Sequence, residues 1–311
     1  MMRADPRYSA KLTLCLAAVY IIWGSTFLVT KVAATHLPVA LFSAVRFLTA
    51  GAVLTLVARF VFKHPFPRRL IDWRHVLVTG FFMVVASNGL NAWAIQYIPS
   101  GQSALLNGTA AFWIAGLGVF GRRGHPLTRW AIVGLSIGFA GTALMMVPRG
   151  ELHAASLLAQ LGVLGAGLSF SIGTLYYRSA DTPVDSLMFM AMQLFAGGIM
   201  LMIVALIHGD IARWTFSPPG MLALTYLTFV SSCLAFTAYG WLTRNAPPAI
   251  IGTYSYVNPA IATFLGWQFM HESLSRIQLV GMLIIIVGVS ILTMPGGSVT
   301  DPKTLDEPKA A

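Results

Sequence analysis

Apolar residues run in long blocks along this chain, broken by short clusters that carry nearly all of its charge. A helix that crosses a bilayer needs ~20 mainly apolar residues, because in lipid every backbone polar group must bond within its own segment. The pattern predicts ten spans, near residues 12–30, 37–58, 76–98, 101–120, 130–147, 155–177, 186–207, 219–243, 248–269 and 277–294. The first block, from Leu12 to Thr30, is too long for a cleaved signal peptide and lacks a small-residue cleavage site. The polar, Gly/Pro-containing stretch 295–311 reads as a disordered tail.

The ten blocks are two copies of five. Shifted by 147 residues, Lys31 falls on Arg178, Phe42 on Phe189, Ala44 on Ala191 and Gly51 on Gly198. Further along, Leu127, Arg129, Val133, Gly134 and Gly141 fall on Leu274, Arg276, Val280, Gly281 and Gly288. The register drifts by a residue or two between these matches, so the duplication is old. An odd number of crossings makes the second copy enter the membrane from the opposite side. The expected fold is therefore an all-α polytopic membrane protein, with ten transmembrane helices as two inverted five-helix repeats, 12–147 and 155–294. Inverted repeats are common among secondary transporters.

Composition agrees: 57% of residues are hydrophobic and 10% charged, with mean hydropathy +0.75, against roughly 25% charged for a soluble domain. The net charge of +10 would suit nucleic acid, but its placement points elsewhere. With the N-terminus inside, fifteen of the twenty Lys and Arg fall in cytoplasmic segments, four fall outside, and Arg46 lies within a span. That is the positive-inside bias, and it places both termini in the cytoplasm of a bacterial inner-membrane protein. Membrane lipid headgroups, not nucleic acid, are the partners such charge implies.

Other chemistries find little support. Cys15 and Cys233 both lie in apolar spans and read as small packing residues. The seven histidines sit at helix ends or in loops without metal-site spacing, so no metal or other cofactor is expected. Gly134-Leu135-Ser136-Ile137-Gly138 matches the serine-hydrolase GxSxG pattern, yet that nucleophile needs a strand-to-helix elbow. Here the small residues sit in an apolar helix, where they let neighbours approach closely. The sequon Asn107-Gly108-Thr109 is likewise inside a span. No paired nucleophile and base is found, so no enzyme and no catalytic residue is read.

One ordered set of residues has a known counterpart. Trp23-Gly24-Ser25-Thr26-Phe27, Arg46-Phe47, Ala191-Met192-Gln193 with Ala196-Gly197-Gly198, and Ala235-Phe236-Thr237-Ala238-Tyr239 belong to it. So do Thr253-Tyr254-Ser255-Tyr256-Val257-Asn258-Pro259 and His271-Glu272 with Leu274. Together, over roughly residues 10 to 295, they resemble the EamA family of the drug/metabolite transporter superfamily, in particular its YedA-like bacterial exporters. The resemblance implies ten helices in two inverted halves, alternating access and export of small metabolites. It also implies a central cavity walled by helices one, three, four, six, eight and nine. Two departures stand out: Thr109-Ala110-Ala111 where many members carry a proline matching Pro259, and Gly121-Arg122-Arg123-Gly124 where a Gly-Glu pair would match His271-Glu272.

Polar side chains within spans are costly unless they face protein or water. They concentrate on a few helices: Trp23, Thr26 and Thr30 on the first, Asn88, Asn91, Trp93 and Gln96 on the third, Ser103 and Asn107 on the fourth. The eighth carries Ser232, Tyr239 and Thr243, and the ninth Tyr254 and Asn258 beside Pro259. The candidate substrate-binding set is Trp23, Thr26, Arg46, Asn88, Asn91, Trp93, Asn107, Tyr239, Tyr254 and Asn258. The fifth and tenth helices are almost purely aliphatic and suit lipid, other helices or the second subunit of a homodimer. Arg46, about 12 Å along its helix from Pro38, admits two readings: a structural residue bonded to helix-end carbonyls, or a carboxylate-binding or gating residue.

Every acid falls near a membrane face, so no mid-membrane proton relay is present and transport down a substrate gradient is expected; Glu272 is the remaining proton-carrier candidate. A lining of aromatics, amides and hydroxyls suits a small neutral or zwitterionic solute such as an amino acid. The rival readings are broad drug efflux and a receptor or scaffold that does not transport, although no loop is long enough for a soluble sensor domain.

Overall fold

The computed structural model describes residues 6–117, 128–145, 154–246, 251, 254–272 and 275–293, and among them every regular element is helical. Six helices are long and apolar enough to cross a membrane: α1 Tyr8–His36, α2 Val39–Val61, α3 Leu70–Ala94, α7 Ala155–Ser179, α8 Ser186–Ile207 and α9 Pro218–Asn245. The others are shorter: α4 Ser100–Asn107, α5 Ala110–Leu117, α6 Arg129–Met145, α10 Tyr254–Met270 and α11 Arg276–Thr293. The third predicted span begins six residues early, at Leu70.

The fourth span is not one helix. It breaks between α4 and α5, where the Ala111 amide turns back to the Gly108 carbonyl and leaves the Asn107 carbonyl out of the ladder. Winding is also uneven elsewhere. The segments Gly80–Gly89 of α3 and Tyr226–Ala235 of α9 are π-helical, and they coincide to within a residue on the 147-residue shift. Such wide turns are rare and gather at functional sites.

Two antiparallel seams organise the bundle. In α2 and α8, a Cβ on Gly51 would lie 2.5 Å from the Phe195 amide nitrogen, and one on Gly198 would lie 2.7 Å from that of Leu48. In α6 and α11, a Cβ on Gly141 would lie 2.8 Å from the Gly281 carbonyl, and one on Gly288 2.8 Å from that of Gly134. Small residues permit such backbone contact, which in lipid replaces the hydrophobic effect as the source of helix association. Each contact is the shifted image of its partner. The outer faces of α6 and α11 expose Trp130, Ile132, Val133, Leu279, Leu283 and Val287, the apolar surface that lipid requires.

Polar clasps tie the loops to these seams. Asp72, at the start of α3, is buried and accepts from Arg69 (2.8 and 3.1 Å) and from the Thr182 hydroxyl (2.8 Å). That hydrogen bonding raises Arg69 above the ordinary guanidinium value. Beyond α8, buried Asp210 pairs with Arg213 and accepts from the first-turn amide of Leu41 in α2 at 3.3 Å.

Candidate solute-binding site

A cavity of about 70 Å³ lies where α1, α2, α3, α4, α7, α9 and α10 meet. Eight of the ten sequence-read residues line it: Trp23, Thr26, Arg46, Asn88, Asn91, Asn107, Tyr254 and Asn258. Phe27, Ser87, Phe170, Ser231 and Phe236 complete the wall. A wider cleft of about 640 Å³ between α2, α3 and the end of α8 is lined mainly by apolar side chains. Size does not decide between them; the density of hydrogen-bonding groups favours the smaller.

Arg46 is buried, 3% exposed, and its charge is held by hydroxyls. Its Nε donates to Ser232 Oγ at 2.8 Å and a terminal nitrogen donates to Ser231 Oγ at 3.0 Å. Among the described residues its hydrogen-bond partners are these hydroxyls rather than helix-end carbonyls. Both serines come from the π-helical part of α9, where the wider turn sets two successive hydroxyls against one guanidinium. Thr26 Oγ1 lies 2.9 Å from Ser231 Oγ and joins α1 to the same group. Among the described residues Arg46 has no carboxylate partner. Its counterpart on the 147-residue shift, Gln193, is fully buried with Oε1 unpartnered.

On the facing wall, Asn258 of α10 is 4% exposed and its Oδ1 has no hydrogen-bond partner. A buried orphan acceptor costs ~1–3 kcal/mol unless something donates to it. Asn91 accepts from Ser103 at 2.7 Å, bracing α3 against α4, and Asn88 donates to the Met83 carbonyl at 2.7 Å. Trp23 forms the floor, with ring centroids 5.7 Å from Phe170, 5.4 Å from Phe236, 4.8 Å from Tyr239 and 5.7 Å from Tyr254. Val19, Leu242, Ala246 and Ile251 extend this cluster away from the cavity.

Two residues fall elsewhere. Tyr239 is fully buried behind Trp23, its hydroxyl 3.0 Å from that of Thr174, and it is absent from the cavity wall. Trp93 lines the wider cleft instead: two residues beyond Asn91, it stands on the other side of the helix. Among the five wall residues that the sequence reading missed, Ser87 and Ser231 each adjoin a residue it had named. Phe27, beside Thr26, and Phe236 lie within the motifs that carry the resemblance, whereas Phe170 carries no signal that separates it from a core aromatic. Among the described residues, no three His, Cys, Asp or Glu side chains are grouped to hold a metal.

Membrane-length helices around a polar and aromatic cavity are the architecture of a membrane transporter. The sequence profile of the EamA-like transporter family matches the chain twice, over residues 10–147 and 157–294, and the chain belongs to that family. It is 33% identical over 283 residues to the uncharacterized inner membrane transporter YedA of Escherichia coli K12, covering 90% of this chain and 89% of that one. The uncharacterized transporter YvbV of Bacillus subtilis is 26% identical over 286 residues, covering 90% of each. A solved crystal structure at 17% identity shares the fold, with a TM-score of 0.67 over 91% of this chain and 96% of the other.

Proposed function

We propose that this protein is a bacterial inner-membrane exporter of small carboxylate-bearing zwitterions, amino acids among them. It works by alternating access between two five-helix halves of opposite orientation. The carrying observation is the buried Arg46 guanidinium on the cavity wall, without a carboxylate of its own among the described residues. A substrate carboxylate supplies that charge. The orphan Oδ1 of Asn258 and the ring faces of Trp23 and Tyr254 suit the ammonium end, through a hydrogen bond and cation–π attraction. A fixed buried cation repels cationic drugs, which disfavours broad drug efflux. The opposed halves are supported by the paired glycine contacts and the double family match, and the membrane by the name of the Escherichia coli relative.

Transport is expected to run on the solute gradient alone, since Asp72, Asp210 and Glu272 all stand at helix ends. In proteoliposomes with a collapsed proton gradient, counterflow of a labelled amino acid should persist at an undiminished rate. Strict dependence on a pH gradient would sink this reading of the coupling, and failure of a broad amino-acid panel to exchange would sink the substrate class.

Orientation has its own test. A green fluorescent protein fused after Lys63 should glow, because Arg59, Lys63, Arg68, Arg69 and Arg74 mark the cytoplasmic face. The same reporter after Gly209, five crossings later, should stay dark. Equal fluorescence at both sites would refute the opposed halves.

A further inference from the structure

On the face away from the Arg59–Arg74 cluster, one carboxylate ties three helices together. Helix α10 stops at Met270, His271 turns left-handed with φ 52°, and the Glu272 amide returns to the Gly266 carbonyl at 3.1 Å. This turn aims the Glu272 carboxylate across to α4. There it accepts from the Ser100 amide at 2.9 Å, the Ser100 hydroxyl at 2.6 Å and the Gly101 amide at 3.4 Å. Lys31 of α1 comes from the third side, with Nζ 3.5 Å from Glu272 Oε1 and donating to the Ile98 carbonyl at 2.7 Å. Both side chains are largely withdrawn from solvent, at 22% and 13% exposure. The fit is close: a Cβ on Gly266 would sit 2.5 Å from the carboxylate.

Among the described residues, the opposite face shows half of this device. Arg178, the residue that Lys31 overlays on the 147-residue shift, donates to the Thr243 and Ala246 carbonyls at the end of α9, at 3.2 and 3.3 Å. It caps α9 as Lys31 caps the chain beyond α3. Among the described residues Arg178 has no carboxylate partner. The segment that matches His271-Glu272 in the first half reads Gly121-Arg122-Arg123-Gly124, two cations where the other half has an anion.

We propose that Lys31 and Glu272 are gating residues: their ion pair, with Ser100, latches α1, α4 and α10 shut on the face away from the basic cluster. Among the described residues, Arg178 on the basic face forms no counterpart of this ion pair. A latch on the Lys31 and Glu272 face holds the cavity closed there and leaves loading to the basic, cytoplasmic side, as export requires. The idea rests on the alternating-access reading but is tested without any substrate, so a negative result leaves the flux experiments standing.

The full-length chain, with Cys15→Ser and Cys233→Ala and a reporter Phe27→Cys on the cavity wall, is labelled in membranes by a charged, impermeant maleimide. The reagent is added on the face away from the basic cluster. Glu272→Gln and Lys31→Met should each speed labelling roughly tenfold, the weight of one charge-assisted hydrogen bond. Arg178→Gln should leave the rate from that face unchanged. Lys31→Met keeps the Ser100 contacts of Glu272, so it carries the test should Glu272→Gln fail to fold. Unchanged labelling in every folded latch variant overturns the proposal, as does an equal rise from both faces, which would report general loosening.

Discussion

Arg46→Gln should cut the affinity for a carboxylate-bearing solute about 30-fold or more while leaving the protein as heat-stable as before, or more so. The two halves of this expectation have separate causes. Removing one partner of a buried charge pair costs roughly 2–5 kcal/mol of binding. In the empty protein, among the described residues, Arg46 has the Ser231 and Ser232 hydroxyls and the Phe47 ring face, 4.5 Å away, but no anion to offset its desolvation, and a neutral amide removes that burden. Ser231 retains Thr26 as a neighbour. A purely structural arginine would behave in the opposite way, losing melting temperature and keeping affinity in the surviving fraction. Arg46→Lys keeps the charge but loses the two-pronged donor geometry, so its affinity should fall between the two. Measuring melting temperature and uptake affinity on the same preparations decides; unaltered affinity in Arg46→Gln would remove the residue from the site.

Gly51→Ala and Gly198→Ala should each destabilise the protein by roughly 1–3 kcal/mol, as overpacking does. The added methyl of either would meet backbone atoms of the facing helix, which cannot swing aside as a side chain can. The pair should be strongly non-additive, because once one methyl has parted α2 from α8 the second finds room. Gly116→Ala is the control: nothing lies within 4 Å of its added carbon, and alanine's helix propensity should stabilise α5 by up to about 1 kcal/mol. Thermal unfolding in detergent reads all four variants. Near-neutral behaviour at Gly51 would mean that the seam is looser than the distances state.

Much of this was legible beforehand, and the misses have identifiable causes. Apolar blocks and positions such as Lys31, Gly51 and Gly141 mark the spans and the duplication because bilayer thickness and close packing leave few alternatives. Polar residues that lipid would reject mark the candidate set, and Asn88, Asn91, Asn107 and Asn258 among them line one cavity. Trp93 was included by residue type although helical spacing turns it away from Asn91. Ser232 and Tyr239, seven residues apart, would share one face of a uniformly wound α-helix; the π-helical stretch ending at Ala235 changes the angle per residue between them. Neither that winding nor the break after Asn107 can be read from hydrophobic periodicity, since the polar residues there, such as Ser103, Asn107, Ser231 and Ser232, are too few and too scattered to mark a change of helical pitch.

The two glycine seams also constrain how this protein can evolve. Every base change that alters a glycine codon's meaning, short of a stop, installs a larger residue, so drift at Gly51, Gly198, Gly141 or Gly288 can go only toward a clash. Second-site reversion is narrowed as well. The atoms nearest these glycines include backbone nitrogens or carbonyls of Phe195, Leu48, Gly281 and Gly134, which substitution there does not remove, beside side-chain atoms of Phe195, Leu48 and Ile284. A lineage can exchange the residues around its cavity and acquire new solutes, but it inherits these four positions without an alternative allele.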